Sequence, residues 1–279
     1  MKDLFKICGL VIALLLLASC NKTDIDFPYQ KNLTVESFIE EGKQARVYLT
    51  YNFPIDELID SSALINSIET KAKVTLSYNG IDEILILKRD NSHYPMLYYQ
   101  SNMIIGTANT DYNLDIIADK EDYHSNTYMP DNFRISSFIF ESLSGNDVNK
   151  RDLYITIDNP NPNQIAYFNL LIKDSSQSAK YKFTNRGLFT NSTAADSKFL
   201  IFVPYPETES KSSFVKGDSI YIQLQSITQN EYEFWKSIYG DATNVVDIKG
   251  VDESTPSNVE NAFGFFGGRS VSTYQIVIK

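Results

Sequence analysis

Imidazole is scarce in this chain: His93 and His124 are the only histidines in 279 residues. Neither stands in a ligand pattern, such as two histidines one helical turn apart, so both are expected in turns or on the surface. Carboxylates are plentiful. Asp111, Asp115 and Asp119 recur every four residues, a spacing that would line one face of a helix and could gather a cation. That segment alternates instead, with Leu114, Ile116 and Ala118 on one side, so the three acids are expected to be solvated along a strand. The run from Asp158 to Asn163 offers oxygens of the calcium-binding kind without the fixed ligand spacing of an EF-hand. Gly264-Phe-Phe-Gly-Gly268 is rich in glycine, yet aromatics stand where backbone amides would cradle a phosphate. It is expected to be a turn that lets aromatic rings pack closely. No Gly-x-Ser-x-Gly elbow occurs. Carboxylate pairs of the glycosidase kind lie far apart in a chain and leave no local pattern. No pattern asks for a cofactor or a metal ion, and no catalytic residue stands out.

Two thiols remain, Cys8 and Cys20. Lys2 and Lys6 flank Asp3, and an apolar run then extends from Ile7 to Ala18. A basic start, a short apolar run and small residues before a cleavage point make a secretory signal. The run falls well short of the roughly 20 residues that span a bilayer. Leu17-Ala18-Ser19-Cys20 resembles the lipobox of bacterial lipoproteins. That resemblance implies a signal peptide over 1–19, cleavage before Cys20, and diacylglycerol attached to the Cys20 sulfur. One acyl chain holds a protein to a membrane only marginally, whereas two or three hold it durably. With Cys8 inside the leader, the exported body has no thiol besides the anchor, so its core must hold it without disulfides.

Removal of the leader leaves about 260 residues, enough for one large or two medium domains. The whole chain carries a formal charge of −10. Such a balance argues against nucleic acid and against anionic headgroups as partners. The 18 Tyr and 17 Phe are expected mostly in sheet core.

Residues 20–32 are polar and are expected to act as a tether. Lys22, Asp24 and Asp26 loosely resemble the charged export tag of surface lipoproteins in Bacteroidetes, with Thr23 and Ile25 interrupting it. Beyond Leu33 strand patterns dominate. Ala45, Val47, Leu49 and Tyr51 alternate with Arg46, Tyr48 and Thr50. One or two short helices fit between Pro54 and Lys71. Lys73 to Tyr78 and Glu83 to Lys88 flank Asn79-Gly80, a strong hairpin turn. Met96 to Gln100 and Tyr112 to Ala118 continue the series. Thr127 to Asn132, with Pro130, marks a boundary. Strands are expected again over 136–143, 152–158, 166–173, 199–203, 219–227 and 271–278, and a long surface loop over 174–198. Thr228 to Glu231 fits a capping box, opening a helix on which Tyr232, Trp235 and Tyr239 share a face before Gly240 stops it. Thr255-Pro256-Ser257 could begin a second short helix. The whole is mainly β: a sandwich over 33–129, then a second β domain over 130–279 with one or two short helices.

Four stretches together resemble one family. They are Leu33 to Pro54, the Thr127 to Pro130 crossing, Phe183 to Asn191, and Ser257-Asn-Val-Glu-Asn-Ala-Phe-Gly-Phe-Phe-Gly267. These are similar to the domain-of-unknown-function family 4249 lipoproteins of Bacteroidetes. The last stretch is the most specific. Asn185 stands where the family's loop carries Asp. The resemblance implies an immunoglobulin-like first half, a second β domain, and an outer-membrane location with the leaflet left open. It also implies a gene neighbourhood with a TonB-dependent receptor, and no catalytic residue. The expectation is a lipid-anchored envelope protein serving as a non-catalytic accessory or binding module. The alternative is a structural or adhesin-like spacer. Phe189, Tyr232, Trp235 and Tyr239 are the candidate contact surface.

Overall fold

Alternating apolar residues commit most of the chain to strands, and two buried stripes commit those strands to two cores. The computed structural model describes residues 29–54, 58–143, 148–175, 181–192, 194, 196–205, 213–239 and 255–279. The leader, Cys20, most of the tether and Gly240 lie outside the described residues, as do the side chains of Asn185 and Tyr239. Lys31–Phe53 and Glu57–Lys279 form one unit, to which the following description applies.

In chain order the first half holds β1 (Leu33–Glu40), β2 (Gln44–Tyr51), helix α1 (Ser61–Asn66), β3 (Lys73–Tyr78), β4 (Ile81–Ile84), β5 (Ile86–Arg89), β6 (Leu97–Ile105), β7 (Thr110–Ala118) and β8 (Glu121–Met129). The second half holds β9 (Ile135–Ser142), β10 (Lys150–Asp158), β11 (Tyr167–Asp174), β12 (Lys182–Thr190), β13 (Lys198–Val203), β14 (Phe214–Val215), β15 (Ser219–Ile227), helix α2 (Gln229–Tyr239) and β16 (Phe263–Val277). The hairpin at Asn79-Gly80 forms with both residues at positive φ, and Tyr78 pairs with Ile81 across it.

One eight-stranded sheet, ordered β12-β11-β15-β16-β1-β2-β6-β5, runs through both halves. The four-stranded sheet β4-β3-β7-β8 covers one end of it. Between them Val35, Val47, Leu49, Val74, Leu76 and Leu114 make the first core. The sheet formed by β9, β10, β13 and β14 covers the other end, where Ile155, Ile157, Phe168, Leu170, Ile222 and Leu224 make the second core. The molecule is thus mainly β, built as two sandwiches that share a sheet.

The shared element is β16. Residues 263–269 pair in parallel with 34–40 of β1, and 270–277 pair antiparallel with 219–226 of β15. At about 3.3 Å per residue its 15 residues span roughly 50 Å. Val259 and Phe266 enter the first core and Ile278 enters the second. The segment 33–129 therefore acquires its last sheet neighbour from 263–269, far beyond the boundary that Pro130 marks in the sequence.

The expected strand over 83–88 breaks at Leu85. β4 stays with β3, whereas β5 moves to β6 in the other sheet. Leu85 marks the switch: it is buried, and its N–H donates to the Val74 carbonyl at 2.8 Å. Glu83 fixes the neighbourhood. Its buried carboxylate accepts the backbone N–H groups of Asn102, Met103 and Ile104 at 2.5 to 3.1 Å.

Three expectations need correction. The polar stretch 174–198 is not one loop, because 182–190 form β12 against β11. Thr255 to Ser257 begin no helix. Gly264 to Gly268 are not a turn: they lie within β16, paired in parallel with β1.

A cavity at the seam of the two sandwiches

The chain crosses between the cores at Tyr128 to Phe133, and β16 holds that crossing from behind. The Gly268 N–H donates to Thr127 Oγ1 at 2.9 Å. The Ser270 hydroxyl donates to the Pro130 carbonyl, and Ser272 reaches Asn132 and the Phe133 carbonyl at 2.6 and 2.9 Å. A Cβ at Gly268 would come within 2.5 Å of the Tyr128 carbonyl oxygen. Glycine is therefore what lets the two backbones approach.

A cavity of about 280 Å³ opens in front of this crossing. Its walls come from three separate segments: the crossing itself, the loop from Asn161 to Tyr167, and the β15 end leading into α2. The crossing contributes Tyr128 and Asp131, and Asn109 holds both. Tyr128 donates its hydroxyl to Asn109 Oδ1 at 2.7 Å, while Asn109 Nδ2 donates to Asp131 Oδ1 at 2.6 Å. Partial burial of the ring, then the charges of Asp131 and Asp111, push the Tyr128 hydroxyl above its ordinary pKa, so it stays a neutral donor.

The second wall is held by two buried asparagines. Asn191 Oδ1 accepts the Ala166 N–H at 2.8 Å, and its Nδ2 donates to the Gln164 carbonyl and to Asn159 Oδ1, both at 3.0 Å. Asn159 in turn donates its N–H to the Ser197 carbonyl at 2.7 Å. The Pro-rich loop is thereby fixed from inside. Tyr167 follows it, with its ring 5.2 Å from that of Tyr232 on α2. Buried polar groups satisfied in this way make a wall rigid before any ligand arrives.

Helix α2 begins beside the third wall. Thr228 accepts the Glu231 N–H at 3.3 Å, which is one half of a capping box. The other half does not form. The Glu231 side chain turns inward and accepts Arg269 Nε at 2.6 Å and the Trp235 indole N–H at 3.2 Å, both on Oε1. The Arg269 guanidinium lies 4.5 Å from the Phe38 ring centroid. Glu231 Oε2 is buried with no hydrogen-bond partner and rests where a Gly267 Cβ would stand, 2.2 Å away. Burial pushes the Glu231 carboxyl up; the Arg269 guanidinium opposes that shift without cancelling it.

A second, polar recess lies on the first sandwich, lined by Ser77, Asn113, Asp115, His124 and Glu260 among others. His124 Nδ1 is 2.6 Å from Asp115 Oδ1, and this hydrogen bond raises the imidazole pKa. Ser77 does not complete a triad. It sits on β3 with β7 between it and β8, two strand spacings or roughly 10 Å away. The Ser125 hydroxyl is committed to the Asn258 carbonyl at 2.7 Å. Among the described residues no hydroxyl or thiol hydrogen-bonds this imidazole. His93 lies apart from both recesses, in the turn after β5, its ring 5.2 Å from Tyr48.

A family model described as a domain of unknown function, DUF4249, matches residues 21–275. The chain belongs to that family. No curated protein matches it. Among solved structures, a crystal structure of a DUF4785 family protein from Legionella pneumophila subsp. pneumophila is similar at 10% identity with a TM-score of 0.25. That match covers 70% of this chain and 51% of the other, so the chain spans about half of that protein.

Within this DUF4249 chain the four contact residues suggested by sequence separate. Phe189 stacks on Phe168 at 5.0 Å and serves the second core. Trp235 packs against Phe265 at 5.4 Å and donates to Glu231, so it clamps α2 onto β16. Tyr232 braces Tyr167 at the cavity. Tyr239 is the last residue of α2. Asp111, Asp115 and Asp119 do not converge. They belong to β7 or its end, where Asp115 meets His124 and Asp119 accepts Lys31 Nζ at 2.7 Å and the Tyr51 hydroxyl at 2.8 Å. Asp158 faces Lys198 at 3.4 Å. Among the described residues no group of three His, Cys, Asp or Glu is placed to hold a metal ion.

Proposed function

We propose that this chain is a lipid-anchored binding module of the bacterial cell envelope, non-catalytic, that takes its ligand in the seam cavity and works beside an outer-membrane receptor of the TonB-dependent kind. The observation that carries the reading is the cavity itself. It sits where two sandwiches meet, a favoured position for small-molecule sites. Its walls are held by Asn109, Asn159 and Asn191, all outside the surface a ligand would touch.

The lipobox and leader support export, and the family's neighbourhood supports the receptor. A purely structural spacer is the competing reading, favoured by the strand that braces both halves.

Two measurements test the proposal. Cells fed labelled palmitate should label the wild-type chain and leave Cys20→Ser unlabelled; equal labelling would remove the anchor. Mild crosslinking in the native host, followed by purification, should recover an outer-membrane receptor. Recovery of none, with growth on every carbon source unaffected by deletion, would leave the spacer as the better account.

A further inference from the structure

The lining of the seam cavity also selects a chemical class. We infer that it receives a hydroxyl-rich ring that carries no negative charge: a neutral sugar residue is its simplest form. This inference rests on the binding-module reading above and sharpens it.

Three properties of the lining point the same way. First, two tyrosines, Tyr128 and Tyr167, bound it from different segments. Aromatic faces pack against the C–H faces of pyranose rings, whereas linear polar metabolites offer them little. Both rings are positioned in advance, Tyr128 by Asn109 and Tyr167 by Tyr232. Second, the polar groups are hydroxyl partners. Asp131, Asn161, Gln164, Thr228 and Gln229 contribute carboxylate, amide and hydroxyl groups, which both donate to and accept from sugar hydroxyls. Third, among the described residues no Lys, Arg or His lines the cavity. An anionic ligand would lose its hydration with no counter-charge and would face Asp131. One Asp131 oxygen already accepts Asn109 Nδ2 at 2.6 Å, and among the described residues no hydrogen bond occupies the other, which can accept a hydroxyl. A volume of about 280 Å³ lies just below the usual range of roughly 300 to 1,000 Å³ for small-molecule sites, which suits one ring rather than a long chain.

The test uses the full lipidated protein in detergent micelles. It is titrated calorimetrically with glucose, galactose, mannose, N-acetylglucosamine and maltose, with glucuronate as the anionic arm. At least one neutral sugar should saturate below about 10 mM, and the matched anionic sugar should bind more weakly. Tyr167→Ala and Asp131→Asn should each weaken binding about tenfold, the scale of one lost stacking or charge-assisted contact. His124→Ala, in the separate polar recess, should leave affinity unchanged. Thermal unfolding of each variant checks that the fold persists; Asp131→Asn preserves shape should Tyr167→Ala fail to fold. Tighter binding of glucuronate than of glucose would overturn the inference, as would no saturable binding by any neutral sugar, or neutral binding indifferent to both cavity variants. If those results came with a recovered receptor, the binding-module reading would stand and the ligand class alone would fall.

Discussion

Glu231 shows how one residue type serves two ends of an argument. Its place three residues after Thr228 fits a cap, yet its carboxylate is drawn inward by Arg269, so that neither charge is buried alone. Removing one member of such a pair costs about 3 to 5 kcal/mol. Glu231→Ala should therefore lower unfolding free energy by about that much, measured by denaturant titration. Gly267→Ala should cost about 1 to 3 kcal/mol by overpacking, because its new methyl would meet the carboxylate. The double variant decides whether the two effects share a cause: with the carboxylate gone, Gly267→Ala should add little further loss. Full additivity would mean the glycine is needed for some other reason. At this scale the sequence was partly legible. The glycines and aromatics of 263–268 signalled close packing, but their residence in a strand was hidden, since glycine ordinarily weakens strands. What glycine supplies here is room, for a neighbouring backbone at Gly268 and for a side chain at Gly267.

Elements were the most legible level, because alternation and turn chemistry are local. The strand at 44–51, the hairpin at Asn79-Gly80 and the helix after Thr228 all follow from spacing. β12 was missed because Lys182 to Thr190 is mostly polar or small, and only its neighbour β11 makes it a strand. The switch at Leu85 was missed because Ile84 to Leu87 is one unbroken apolar run, which reads as a single strand. Glu83, two residues earlier, is where this switch can be probed. Burial would raise its carboxyl pKa, but three backbone amides outweigh burial and hold it below the ordinary 4.5. A folded pKa below the unfolded one contributes stability that is present above the unfolded value and lost as pH falls through the folded one. The wild-type melting temperature should thus drop as pH is lowered from about 4.5. Glu83→Gln should melt lower at pH 7 and show a shallower acid decline. An acid limb unchanged in Glu83→Gln would show that other carboxylates carry it.

At the scale of the whole molecule, the cavity was not legible at all. Its walls come from residues 128–133, 161–167 and 226–229, brought together only by the crossing of the chain between cores. No local pattern announces a site assembled from segments so far apart. The same architecture predicts cooperative behaviour. Because β16 belongs to both sandwiches, heat should unfold them in a single calorimetric transition, with van't Hoff and calorimetric enthalpies in agreement. A chain ending at Pro256 would lose Val259 and Phe266 from one core and Ile278 from the other. It should bind hydrophobic dye and show no cooperative melt. Two separated transitions in the intact protein, or a stable first half in the shortened one, would contradict this.

The pairing of Thr34 with Phe263 also sets an order of events at birth. If the chain is exported as proposed, delivery from its leading end presents Leu33 to Glu40 long before the stretch that must lie beside them. Throughout that interval one flank of β1 is a bare row of amides and carbonyls, open to any stray strand of another molecule. Closure over so long a loop is slow. On that reading the yield on export should be limited by aggregation rather than by the stability of the finished fold, and a holdase on the far side of the membrane should raise it.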